Sequence, residues 1–376
     1  MTYLDFASST PPRSEVLDRF AELNRESFAN PSSTHALGRE AERKLEQERK
    51  TLLDLFGVGA SHRAVFLSSA TEGNNLALKG VALQYSNRGK KILVSSTEHP
   101  SVIEPLDYLA NTYGFEVIRI PVDSLGRVLP ETLQGLMDKD VILVSVMGVN
   151  NETGAVNDLA ALSKIVHAYP KAFFHSDLTQ AIGKTDVPYK DLDLFTFSAH
   201  KIHGLKGVGA LVLRSSIRLV PSFHGGGQEY GFRSSTVSLP LAGSLVKAVA
   251  LSLKEQKKSI AHVSALRDVL LEGLQEKGMV LNSYPEGCPF VVNFSLPLHK
   301  ASVIVEGLSQ RGIYVSSLSA CSSKTDQVSY VLLAMGKSKE EAGNSIRVSL
   351  DGSTSLEEVE SFLNNLSALL LEVRPR

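Results

Sequence analysis

Between residues 64 and 214, short apolar runs alternate with stretches of helical periodicity, and this alternation constrains the fold more than any other property of the chain. The runs fall at 64–68, 91–95, 116–120, 141–147, 172–177, 194–198 and 208–213. Most are almost continuously apolar rather than alternating, the pattern of strands covered on both faces. Helical segments at 71–86, 100–113 and 157–168 separate the earlier runs. Strand, helix, strand in repeated order predicts an α/β fold built on a mainly parallel, seven-stranded sheet. The last three runs follow each other too closely for full crossover helices, so one of them is expected to run antiparallel.

Outside this region, 36–56 reads as a long helix with Leu37, Ala41, Leu45, Leu52 and Phe56 along one stripe. A second long helix at 240–278 is placed to link two domains. Beyond it, strands near 290–295 and 346–350 and helices near 300–311 and 355–371 suggest a smaller α+β unit. The expected division is a large domain at 14–255 and a small domain formed by 1–13 together with 256–376.

Several function classes are excluded early. Lys and Arg number 39 against 40 Asp and Glu, with no long basic run, so a nucleic-acid footprint is not expected. No apolar run approaches the roughly 20 residues that span a bilayer. The first residues carry neither a basic n-region nor an apolar h-region, so the cytoplasm is the expected compartment. The two cysteines, Cys288 and Cys321, have no CxxC spacing, which argues against a disulfide framework or a thiolate metal site.

Asp177 and Lys201 lie 24 residues apart, each at the end of a predicted buried strand. An acid and a lysine at one sheet edge can hold a pyridine-ring cofactor at both ends. The carboxylate keeps the ring nitrogen protonated, and the amine condenses with the aldehyde of pyridoxal 5'-phosphate (PLP). Other strand ends supply polar residues at the same edge, where open α/β sheets bind ligands. Ser69 and Glu72 have capping-box spacing, placing Ala70 and Thr71 at a helix start suited to a phosphate. Ser198 and His200, beside the lysine, are further phosphate ligands. His99 is placed to lie on the ring face, and Asn151 and Gln180 to bond the ring oxygen.

In order along the chain stand Tyr3-Leu4-Asp5-Phe6-Ala7-Ser8-Ser9-Thr10, Asn30-Pro31-Ser32-Ser33-Thr34-His35, Ala70-Thr71-Glu72-Gly73-Asn74-Asn75 and Thr97-Glu98-His99. Asn150-Asn151-Glu152-Thr153-Gly154, Asp177-Leu178-Thr179-Gln180, Ser198-Ala199-His200-Lys201, Gly225-Gly226-Gly227-Gln228-Glu229 and Ser319-Ala320-Cys321 follow. With these blocks the chain resembles the PLP-dependent cysteine desulfurases of the NifS/IscS-like branch of class V aminotransferases. The resemblance implies a fold-type-I homodimer with Lys201 as the Schiff-base lysine and Asp177 on the pyridinium nitrogen. It implies that Thr236 reaches the neighbouring subunit's phosphate and that Arg347 clamps the substrate carboxylate, a task suited to a planar fork of donors. Two departures stand out: Ser235 replaces a glycine beside Thr236, and Leu205 replaces a proline after the lysine.

Cys321 lies in a serine-rich stretch, and the resemblance makes it the residue that receives sulfur. L-cysteine would be converted to L-alanine, leaving a persulfide on Cys321 for an acceptor protein in an iron–sulfur cluster or thiolation pathway. Lys201 is expected to take the α-proton, with His99 assisting the thiol chemistry, and Asn151 to sit beside the substrate. The rival reading is a PLP-dependent aminotransferase, or a selenocysteine or amino-acid lyase, that does not use Cys321. Cys288, next to an apolar run, reads as a structural thiol.

Overall fold

The computed structural model describes residues 1–317 and 328–375. Its large sheet has seven strands in the order His62–Leu67, Gly209–Arg214, Leu194–Ser198, Phe173–Asp177, Val141–Ser145, Lys91–Ser95, Glu116–Ile120. Every pairing is parallel except the two made by Gly209–Arg214, which runs antiparallel to both neighbours. The chain is therefore the predicted α/β fold, with the antiparallel strand among the last three. Central strands such as Val141–Ser145 are buried at every position, whereas the edge strand Glu116–Ile120 is largely half-exposed and carries Glu116 and Arg119. Charges on an exposed edge oppose pairing with another chain.

Helices Ala70–Gln84 and Pro100–Tyr113 begin just after sheet strands, at the carboxyl edge. Helix Ala36–Leu55 buries Ala41, Leu45 and Leu52, and Phe56 at its end meets Phe195 and Phe197 edge-on at 5.3 and 5.6 Å. Leu37 departs from the expected stripe: it is 54% exposed, because the first turn lies ahead of the helix's main buried stripe. Pro130–Leu136, Ser14–Glu26, Tyr330–Ala334 and Lys339–Gly343 are helices that periodicity did not signal.

Helix Leu239–Glu276 buries residues up to Val249 and again from Val263, leaving the intervening turns at least partly exposed. Its first part packs on Ser14–Glu26 and Ala36–Leu55 and it also meets Leu356–Glu372, so it bridges two bodies of packing. A second, antiparallel sheet runs in the order Ser316–Ser317, Ser345–Ser349, Val291–Ser295, Val280–Leu281. The N-terminus lies beside it: Thr2–Tyr3 and Ile313–Tyr314 form a separate two-stranded parallel sheet, and Asp5 bridges to Ser349 of the second sheet. This lays Ala7 to Thr10 against the turn that carries Lys201.

Candidate active site

Five strands of the large sheet lead into one cavity of about 490 Å3. The segments following them deliver Ala70 and Thr71, His99, Asn151, Asp177 with Gln180, and Ser198 with His200 and Lys201. Arg347, from the second sheet, closes another side with Ala7 and Ser8. Every expected cofactor and substrate residue among the described residues thus lines this cavity except Thr236, which is exposed outside it. Cys321 lies outside the described residues.

Lys201 ends the tight turn Ala199–Lys201, and its Nζ donates to the carbonyls of Ala7 (2.6 Å) and Ser8 (2.7 Å). Burial, reinforced by the positive charges of Lys184 and Arg347, pushes its pKa down to about 7. The amine is therefore about half neutral at neutral pH without any modification, where an ordinary lysine is almost wholly charged. Asp177 accepts from the Thr179 N–H (2.9 Å) and Asn74 Nδ2 (2.8 Å), and no cation pairs with it among the described residues.

At the start of helix Ala70–Gln84, Ser69 Oγ accepts from the Glu72 N–H (3.2 Å). The other half of the expected capping box is not made. Glu72 instead accepts from Ser68 N–H and Oγ (both 2.7 Å) and from Arg233 Nε (2.8 Å), because the guanidinium holds the carboxylate away from Ser69. The Ala70 N–H is spent on Ser198 Oγ (2.7 Å), leaving Thr71 as the open first-turn donor. His200 is neutral at physiological pH, its pKa pushed down to about 4 by burial and by the charges of Lys201, Lys206 and Lys184.

His99 caps helix Pro100–Tyr113. Burial and the Lys201 charge lower its pKa against the pull of Asp177, although the ring is open to the cavity. Gln180 donates to the Ala7 carbonyl (2.9 Å) and accepts from Lys184 Nζ (2.8 Å). Arg347 donates to the Asn151 carbonyl (2.9 Å), Asp5 Oδ1 (2.9 Å) and Ser8 Oγ (2.7 Å), while its buried Nε has no partner among the described residues.

Sequence reasoning missed several of these partners. Asn74 had a signal, an amide inside the apolar turn that runs into Leu76-Ala77-Leu78, and it proves fully buried. Lys184 had none, since a lysine after glycine reads as surface; yet it is buried and its pKa lowered by that burial. Glu152, also buried, accepts from Ser329 Oγ (2.5 Å), and burial raises its pKa. Cys288 is the buried, inert thiol expected, raised by burial.

The family model for aminotransferase class-V matches residues 2–362. The chain is 37% identical over 379 residues to the cysteine desulfurase IscS of Dictyoglomus turgidum, covering 99% of this chain and 95% of that one. It is 38% identical over 378 residues to the cysteine desulfurase IscS 1 of Archaeoglobus fulgidus, covering 100% and 98%. Among solved structures, a NifS-like protein superposes with a TM-score of 0.92 at 34% identity, covering 99% of this chain and all of that one. The structure of SspA in complex with cysteine superposes with a TM-score of 0.77 at 28% identity, covering 94% of this chain.

Proposed function

The chain belongs to the aminotransferase class-V family, and from that premise we propose that it is a cysteine desulfurase, forming L-alanine from L-cysteine and passing the sulfur to Cys321. The observation that carries this reading is the convergence of Asp177, Lys201 and Arg347 on one cavity. An acid without a cationic partner, an amine held half neutral and a partly committed guanidinium have few other joint uses.

The cavity suits PLP. Its volume lies within the roughly 300–1,000 Å3 usual for small-molecule sites. The Asp177 carboxylate is buried without a counter-charge, and the helix start at Thr71 offers an open N–H. Bound there, PLP supplies an aldehyde for the lysine and a sink for electrons released at the substrate α-carbon. Asp177 would keep a proton on the ring nitrogen. Thr71, Ser198 and His200 would hold the phosphate, with Ala70, whose N–H is committed to Ser198 Oγ, shaping the helix start beside it; Asn151 and Gln180 would orient the ring and His99 would cover its face.

Lys201 Nζ takes the substrate α-proton, a step its lowered pKa favours, since a base works best with a pKa near the operating pH. Arg347 holds the substrate carboxylate, with Asn151 alongside. Cys321 would attack the substrate sulfur: its S–H bond and the substrate C–S bond are broken, a new S–S bond forms, and a proton is delivered to the substrate β-carbon to form the C–H bond of the alanine methyl group. L-cysteine and a thiol thus give L-alanine and a persulfide, with no external oxidant. Both flanks of the Cys321 segment border the site. Ser316 Oγ donates to Asp5 Oδ1 (2.9 Å), and Val328, Ser329 and Tyr330 line the cavity.

A homodimer, an acceptor protein for the sulfur and a cytoplasmic setting complete the proposal. The dimer is supported by Thr236 on an exposed segment, and by Phe28, Leu37 and Phe223 at 77%, 54% and 53% exposure. No helix among the described residues is long and apolar enough to cross a membrane. The proposed division into 14–255 and 1–13 with 256–376 is supported by the pairing of Thr2–Tyr3 with Ile313–Tyr314, the Asp5–Ser349 bridge and the bridging helix.

Mass spectrometry of the protein after incubation with L-cysteine tests the reading. One added sulfur on Cys321, with alanine in solution, is expected. Release of alanine by Cys321→Ala at the wild-type rate would refute it.

A further inference from the structure

His99, Ser101, Asn74 and Asp177 form one unbroken hydrogen-bonded chain beside the cavity. Asn74 Nδ2 donates to Asp177 Oδ2 (2.8 Å) and to Ser101 Oγ (2.9 Å), and Asn74 Oδ1 accepts from Thr196 Oγ1 (2.5 Å). Ser101 Oγ in turn lies 2.8 Å from His99 Nδ1, and the Ser101 backbone N–H donates to that same nitrogen at 3.1 Å. Asn74 and Thr196 are fully buried and Ser101 nearly so, so bulk water does not substitute for any link.

The donor directions are determined one after another. An ionised carboxylate only accepts, so the Asn74 amide must turn its nitrogen to Asp177 and its oxygen to Thr196. The second hydrogen of that nitrogen then points at Ser101 Oγ, which accepts it. Ser101 has one hydroxyl hydrogen left to give, and His99 Nδ1 is its neighbour. Nδ1 therefore accepts from both the hydroxyl and the backbone N–H of Ser101, and carries no proton. In a neutral imidazole the proton must then sit on Nε2. Nε2 has no protein partner among the described residues, and the ring it belongs to lines the cavity.

We infer that Asn74 and Ser101 are positioning residues that relay to His99 the donor direction set at Asp177, holding its ring as the Nε2–H tautomer so that it offers the cavity a hydrogen-bond donor. The geometry divides the work at the site. Lys201 is the group free to accept a proton, and His99 is the group set to donate one. Its use on a substrate sulfur rests on the desulfurase reading, whereas the tautomer itself does not.

The test is nitrogen NMR of the holoenzyme labelled with 15N-histidine, at a pH above neutrality where the ring is uncharged. His99→Gln identifies the resonances. The expected spectrum has a pyridine-type Nδ1 and a pyrrole-type Nε2 for His99. In Ser101→Ala the hydroxyl donor is lost and only the backbone N–H remains. The tautomer ratio is then expected to shift toward Nδ1–H on the order of two- to tenfold, the weight of one neutral hydrogen bond. Ser101→Thr, which keeps the hydroxyl, should restore it. A protonated Nδ1 in the wild type overturns the inference. So does a Ser101→Ala spectrum identical to wild type, which would leave the backbone N–H alone in control. Since no turnover is read, either failure leaves the desulfurase assignment standing, and loss of that assignment leaves the tautomer standing.

Discussion

Substituting Gly209 by alanine perturbs the phosphate end of the site without touching a group that binds anything. Gly209 opens the antiparallel strand and faces the start of helix Ala70–Gln84. A Cβ there would lie 2.7 Å from the Phe197 carbonyl oxygen, 2.7 Å from the Ser69 carbonyl carbon and 3.0 Å from the Ala70 nitrogen. All three are backbone atoms, so no side chain can swing aside. The helix start must retreat from the strand Leu194–Ser198 by several tenths of an ångström, stretching the 2.7 Å bond from the Ala70 N–H to Ser198 Oγ. Overpacking of this kind costs about 1–3 kcal/mol. If that strain falls on the phosphate cradle, it weakens binding by roughly fivefold to a hundredfold, since about 1.4 kcal/mol is a factor of ten. Pyridoxamine 5'-phosphate and pyridoxamine, neither able to condense with Lys201, separate the effects when titrated against cofactor-free protein. The ratio of their affinities isolates the phosphate. Gly209→Ala should reduce that ratio and leave the affinity for pyridoxamine nearly unchanged. An unaltered ratio would refute the placement of the phosphate at this helix start.

Lys201 makes a pH-dependent contribution in the cofactor-free protein. Its pKa is about 7 in the fold against about 10.4 in an unfolded chain. Between those values the unfolded chain binds the extra proton, so this contribution to stability rises with pH across the window. Urea unfolding of Lys201→Met should show a shallower rise than wild type, and equal slopes would contradict the burial argument. Against the edge strand His62–Leu67, Glu229 accepts from Arg49 in two parallel bonds (2.9 and 3.1 Å) and from the Phe66 N–H (2.9 Å), with both side chains buried. Glu229→Gln leaves the more exposed Glu46, 3.1 Å from Arg49 Nε, as the guanidinium's remaining carboxylate partner, and a loss of up to about 3–5 kcal/mol is expected in denaturant unfolding. A loss below about 1 kcal/mol would show that water reaches Arg49.

The parts of the site that were legible in the sequence are those the chain must build from strand ends. A strand buried on both faces is apolar until it leaves the sheet. Asp177 and Ser198 close two such strands and Lys201 follows in the next turn, so they share one edge, although His175, Ser176 and Thr196 are polar within those strands. That one of the last three strands runs antiparallel was legible from spacing, and the structure identifies it as Gly209–Arg214, which follows Leu194–Ser198 with no room for a crossover helix. What escaped depended on partners remote in sequence. Asp5 pairs with Arg347 at 2.9 Å across 342 positions, and Glu72 is diverted from its cap by Arg233. Short helices such as Pro130–Leu136 complete too few turns to show a period. Leu37 has the right spacing for the buried stripe, but spacing does not say where the neighbouring elements end.

The cations around Lys201 explain why a single cavity suits both a phosphorylated ring and an amino acid. Lys184 and Arg347 lower the Lys201 pKa by repulsion, whereas Asp5 and Asp177 oppose them and are outweighed. A neutral amine is what condensation with an aldehyde and abstraction of an α-proton both require. The positive potential that keeps the amine neutral also attracts a phosphate and a carboxylate, the two anions this chemistry brings to the site. Binding those anions offsets the repulsion and, taken alone, would return the lysine to its charged form. Burial, the first cause of the depression, is the one that anion binding does not cancel. That burial, to which the N-terminal segment lying over Lys201 contributes, therefore does more to lower its pKa than either neighbouring cation.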